Sequence, residues 1–134
     1  MKIAAPLAAR LDFLVRVMEK ECRHLLDTDR RLFVSRFGRL QDTVGDKLLP
    51  ALLMALAETP GPAIDNLDKA EKFGLIVSTD VWMEIRRLRN QMVHEYIEDL
   101  AVLSSALRSG HNFVPELVSS ARRCMAEVQR LLQK

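Results

Sequence analysis

Leu7, Leu11, Leu14, Val15, Met18, Cys22, Leu25 and Leu26 recur at steps of three and four residues, which predicts a long amphipathic first helix. Asp27-Thr28-Asp29 offers capping chemistry where that helix closes or the next begins. Leu32, Phe33, Phe37, Leu40, Val44 and Leu48 repeat the period in a second helix. Pro50 interrupts it without ending it, because Ala51 to Ala57 stays helix-prone; a kink is expected there. Thr59-Pro60-Gly61-Pro62 is the clearest break in the chain.

A shorter helix follows, with Ile64, Leu67, Ala70 and Phe73 on one side. Gly74 is placed to end it in the left-handed conformation, with Leu75 folding back as the hydrophobic contact. Ser78 reads as an N-cap, with Asp80 favourable in the first turn. The fourth helix is expected from about Thr79 to Arg108, ending before Gly110, with His111 in the loop beside it. Asn112 is then the cap of a fifth helix, Pro115 falls in its first turn, and Leu117, Ala121, Cys124, Val128 and Leu131 form its stripe. No segment of useful length alternates with period two, and no repeat or low-complexity tract interrupts the pattern. The expected fold is an all-α bundle of about five helices.

Composition narrows this picture. The 134 residues suit one domain, residues 1–134, around a single core. An apolar fraction of 49% with 28% charged residues is that of an ordinary soluble globular chain. A formal charge of +2 is too small to imply nucleic-acid binding by itself, although Arg30-Arg31, Arg36/Arg39, Arg86-Arg87-Arg89 and Arg122-Arg123 are local arginine clusters. Such clusters are most often solvated helix faces. No signal-peptide pattern opens the chain, and no apolar run approaches the roughly 20 residues that span a bilayer. Cys22 and Cys124 read as buried reduced thiols, so a cytoplasmic location without membrane contact is expected.

Chemistry concentrates in Arg89-Asn90-Gln91-Met92-Val93-His94-Glu95-Tyr96. An always-charged guanidinium sits among apolar neighbours there, and an unpaired buried charge costs on the order of several kcal/mol. It therefore needs a partner or a ligand. At roughly 100° per residue, Arg87, Asn90 and His94 share one helix face, while Arg89 projects from the apolar side with Trp82, Ile85, Met92, Tyr96, Leu100 and Leu103. A site assembled between two copies of this helix would give Arg89 somewhere to place its charge. Arg binds phosphate oxygens and His moves protons near neutral pH. These groups suffice for RNA cleavage without metal: His94 can take the 2′-hydroxyl proton or protonate the leaving 5′-oxygen, Arg89 can bind the phosphate, and Asn90 can orient either. The plainer alternative pairs Arg89 with an acid such as Glu84 or Glu95 and leaves His94 a surface histidine.

The order Arg89-Asn90, three residues, His94, one residue, Tyr96 resembles the signature of the HEPN family, in its HepT-type toxin branch encoded beside a minimal nucleotidyltransferase. Phe37-Gly38-Arg39-Leu40-Gln41-Asp42, Gly45-Asp46-Lys47-Leu48, Ala70-Glu71-Lys72-Phe73-Gly74-Leu75-Ile76 and Trp82-Met83-Glu84-Ile85-Arg86 resemble further segments of that family in the same order. The resemblance implies an up-and-down helical bundle that forms a homodimer around the motif helix. It also implies a composite endoribonuclease cleft with Arg89 and His94 catalytic and Asn90 supporting. Tyr96, the one tyrosine of the chain, would be the residue to which the partner nucleotidyltransferase antitoxin attaches AMP to silence the toxin. Some relatives are instead substrate-binding subunits of a nucleotidyltransferase, so a non-catalytic partner subunit is the alternative function. A structural dimer module with Arg89 as an interface ion pair is the third.

Other features carry less. Cys22 and His24 are spaced wrongly to share a metal on a helix, and no cofactor or metal site is expected. Cys124 is a weak candidate nucleophile. Asp42 and Asp46 can hold a partner's arginine or line a solvated face, the latter being the ordinary arrangement. Met54, Met83, Met92 and Met125 fit core or interface filling. Arg39 and Gln41 have no role that spacing explains.

Overall fold

The computed structural model describes residues 3–26, 30–94 and 100–133, with side-chain detail for all of these except 30, 31, 93, 94 and 100. Its elements are α1 (Ala5–Leu26), α2 (Arg30–Gln41), a π-helical segment (Asp42–Leu48), α3 (Leu49–Ala55), α4 (Ala63–Lys72), α5 (Thr79–His94) and α6 (Leu100–Leu132). The described residues contain no strand, and the expected all-α bundle is what forms. One apolar cluster joins every helix, from Leu11 and Met18 through Phe33, Phe37, Leu48, Leu52 and Leu67 to Trp82, Leu88, Leu117 and Val128.

α2, the π segment and α3 make one unbroken helical run, since Gln41 and Leu49 both keep right-handed helical backbone. Pro50 lies in the first turn of α3, directly after the π segment. A proline inside an α-helix lacks the N–H that should reach back four residues. The run widens just before it, and Leu49 N–H bonds the carbonyl of Val44, five residues back. The disturbance expected at Pro50 is thus a change of hydrogen-bond register. At the end of α3, Ala57 takes a positive φ of 64° while Glu58 N–H closes onto Leu53 O. This is the left-handed cap usually given to glycine, held here by an alanine.

Two punctuation signals are met. Gly74 has φ 73°, and Leu75 is buried while its N–H bonds Ala70 O. Ser78 Oγ accepts from Val81 N–H at 3.3 Å, and Glu71 accepts from Thr79 N–H at 2.7 Å. The α4 stripe is narrower than its period implies, for Leu67 and Ala70 are buried while Ile64 and Phe73 stay exposed.

The expected helix from Thr79 to Arg108 is not formed. Trp82, early in α5, meets Ser120, late in α6, and Met92, late in α5, meets Gly110, earlier in α6, so these two helices run antiparallel. Gly110, Asn112 and Pro115 lie inside α6, not at a break, and His111 is helical too. Gly110 signals contact, not termination: a β-carbon there would overlap Met92 Cε and come within 3.3 Å of Phe33. α5 also runs antiparallel to the 38–46 stretch, where Trp82 abuts Gly45, Arg86 meets Asp46 and Arg89 meets Asp42. α1 is tied to the π segment by Thr43 Oγ1 donating to Glu21 at 2.6 Å.

Trp82 is fully buried, and its indole N–H donates to the buried Ser120 hydroxyl at 3.0 Å. Ser120→Ala leaves that donor without an acceptor, a loss of about 1–3 kcal/mol. Urea unfolding of the variant should show this loss with unchanged helical circular dichroism. A stability within about 0.5 kcal/mol of wild type would mean that the bond contributes nothing net.

Candidate functional site

Arg89 is delivered by α5 to the face of α2 and the π segment. Its stem lies over Gly38, where a β-carbon would sit 3.6 Å from Arg89 Cγ. Its Nη2 donates to Asp42 Oδ2 at 3.0 Å, and its Nη1 approaches Asn90 Oδ1 at 3.4 Å, a long contact. Nε is enclosed and has no hydrogen-bond partner. The side chains of Arg89 and Asp42 retain 28% and 35% of their exposure, so solvent still reaches the guanidinium. One turn away Arg86 pairs with Asp46. Two rungs of opposite charge therefore join α5 to the π segment.

Among the described residues, Asp42 is the acid that meets Arg89. Glu84 is engaged by Arg87, which also donates to Gln91 at 3.1 Å, and the hydrogen bond from Arg87 holds the Glu84 carboxyl below its ordinary pKa. Glu95 lies outside the described residues. Asp42 and Asp46 line neither a bare solvated face nor, within this chain, a vacant arginine socket, because each holds an arginine of α5. Separation in sequence hid this: the partners stand 47 and 40 residues apart.

Of the residues singled out beforehand, Arg89 and Asn90 are together, and His94 is the last residue of α5, about 7.5 Å further along the helix axis. For His94 only the backbone is described, and Tyr96 lies outside the described residues. Asn90 is exposed, as its place opposite the apolar stripe requires. Asp42 was not counted among the site residues from sequence, where it was weighed only as the holder of a partner's arginine or part of a solvated face, yet it is the acid that meets Arg89. Its position after Gly38 in the family-like segment was the available signal. Gln41 acquires a place, though not a chemical role: it is buried, with its amide nitrogen unpartnered and 3.0 Å from where a Gly45 β-carbon would stand. Among the described residues, no three His, Cys, Asp or Glu side chains gather as metal ligands do.

Compared with family models, curated proteins and solved structures, the chain matches none.

The Arg89–Asp42 pair is part-exposed, which limits its worth to about 1 kcal/mol or less. A double-mutant cycle with Arg89→Ala and Asp42→Asn should return a coupling of that size in urea unfolding. Coupling indistinguishable from zero would show that the two side chains do not hold one another in solution.

The thiols give a second check. Burial pushes Cys124 up to about 12 and Cys22 up to about 11 from an ordinary 9.0. Both stay protonated in the folded protein at pH 8, which argues against Cys124 as a nucleophile. Iodoacetamide should therefore label them slowly in native protein and fast in urea. The unfolded chain loses these protons first as pH rises above 9.0, so stability should fall through the window from 9.0 to about 12. Fast native labelling of Cys124 at pH 8 would contradict its burial.

Proposed function

We propose that this chain is a metal-independent endoribonuclease of the HEPN type, acting as a homodimer and serving as the toxin of a pair with a nucleotidyltransferase antitoxin. The observation that carries this reading is the state of Arg89. Its stem is fixed over Gly38, Asp42 holds one edge, Nε is enclosed without a partner, and the side chain keeps 28% of its exposure beside Asn90. A cation held in place before substrate arrives needs little reorganisation to stabilise charge on a phosphate.

In the proposed reaction His94 removes the proton of a ribose 2′-hydroxyl, or its counterpart from the second subunit protonates the departing 5′-oxygen. The 2′-oxygen bonds to phosphorus as the bond to the 5′-oxygen breaks, leaving a 2′,3′-cyclic phosphate and a 5′-hydroxyl. Arg89 receives the phosphate in exchange for part of its contact with Asp42, and Asn90 orients it. AMP addition to Tyr96 by the antitoxin would bring bulk and negative charge to this cleft and close it. A second reading has support from the same geometry. Asp42 already satisfies Arg89 within one chain, which also suits a non-catalytic partner subunit of a nucleotidyltransferase.

Cleavage of total RNA and of a tRNA pool in EDTA separates the two, using dimeric protein whose intact mass shows no added AMP. Wild type should cut and leave cyclic phosphate ends, and folded His94→Ala should be slower by about 10²–10⁴-fold. Undiminished cleavage by His94→Ala would overturn the catalytic assignment. No cleavage by unmodified wild type would leave the partner-subunit reading standing.

A further inference from the structure

Away from Arg89, a second group of donors converges where α6 crosses the start of α2. Phe33, Ser104, Leu107, Arg108 and His111 line a pocket of about 260 Å³. Ser104, Arg108 and His111 succeed one another at steps of four and three, so α6 presents hydroxyl, guanidinium and imidazole along one stripe. The floor is rigid. Phe33 is buried in the core, and the His111 ring stacks on it with centroids 3.9 Å apart and planes inclined by 20°.

Among the described residues, nothing neutralises the charge at this pocket. Arg16, Arg86, Arg87, Arg89 and Arg130 each meet a carboxylate. Arg108 has no ion-pair or hydrogen-bond partner among the described residues, and no acid is among the described residues that line the pocket. Three donor side chains around a recess, with no carboxylate in its described lining, match a tetrahedral anion that accepts through several oxygens. The guanidinium fork favours phosphate, and the stacked imidazole has already lost much of the freedom that binding would cost it. The recess is also roomier than a single bound water requires, since a water occupies about 30 Å³ of the liquid.

We infer that Ser104, Arg108 and His111 form a binding site for the phosphate group of a nucleotide or of an RNA strand. This inference does not rest on the role proposed for Arg89, whose side chain is not among the residues lining the pocket. A free nucleoside 5′-phosphate and an internal phosphodiester offer the same oxygens, and the test distinguishes them.

The experiment follows the His111 ring signals and the backbone amides of Ser104 and Arg108 by NMR. The intact protein is titrated with 5′-AMP and, separately, with a short oligoribonucleotide lacking terminal phosphates, each against sodium chloride at equal ionic strength. Saturable shifts centred on these residues are expected with at least one ligand. Arg108→Gln should weaken that binding by about tenfold or more, the usual loss for one charge-assisted hydrogen bond. Since Arg108 is exposed, the variant should keep wild-type helicity. Response to 5′-AMP alone assigns a nucleotide site, and response to the oligonucleotide alone assigns a strand site. Shifts no larger than those from sodium chloride, or equal binding by Arg108→Gln, would overturn the inference.

Discussion

The approach of α5 to the stretch from Gly38 to Asp46 is the contact on which the remaining architecture depends. Gly45 leaves room for the Trp82 ring, which on its other side reaches Ser120 of α6. Gly38 leaves room for the Arg89 stem. Between them, Ile85, Leu88 and Met92 are buried in the common core. The largest side chain of the core and the arginine of the candidate site are thus set by a single antiparallel packing. Whatever shifts α5 along that face moves both.

The energetic scale of the Arg89–Asp42 pair suits the function proposed for it. An ion pair with this much solvent contact contributes about 1 kcal/mol or less. A charge-assisted bond to a phosphate contributes about 1.5–3 kcal/mol. An incoming phosphate can therefore displace a carboxylate that otherwise keeps the guanidinium oriented. A fully buried pair would be too costly to break, and a fully exposed one would orient nothing.

Much of the fold was legible because local signals and tertiary needs coincided. The stripes through Leu11 to Met18 and Leu117 to Val128 are core stripes, and Gly74 with Leu75 caps α4 as its sequence indicates. The failure at Gly110 has a definite origin. A glycine that ends a helix and a glycine that admits a neighbouring helix look identical in one dimension, and Phe33, which selects between them, lies far away in the chain. The site divides in the same way. Arg89 and Asn90 could be nominated from one helix, whereas Asp42 becomes visible only when the bundle brings a distant turn against them. Ser104, Arg108 and His111 were overlooked because the expected break at Gly110 put His111 on a loop and hid the stripe that it shares with Arg108.

The π segment has a consequence for how this chain tolerates change. A π turn holds one residue more than an α turn of the same span, so residues from Leu49 onward are rotated by about 100° from where an uninterrupted α-helix would carry them. Loss of one residue between Asp42 and Leu48 could be absorbed by reverting to ordinary α geometry without unravelling the rod. The helix would survive with Leu52 still in the core, but residues inside the turn, Asp46 among them, would be re-aimed relative to Arg86 of α5. In a lineage of such chains, this turn is where a single-codon gap would separate members that keep the charge ladder from members that have surrendered it.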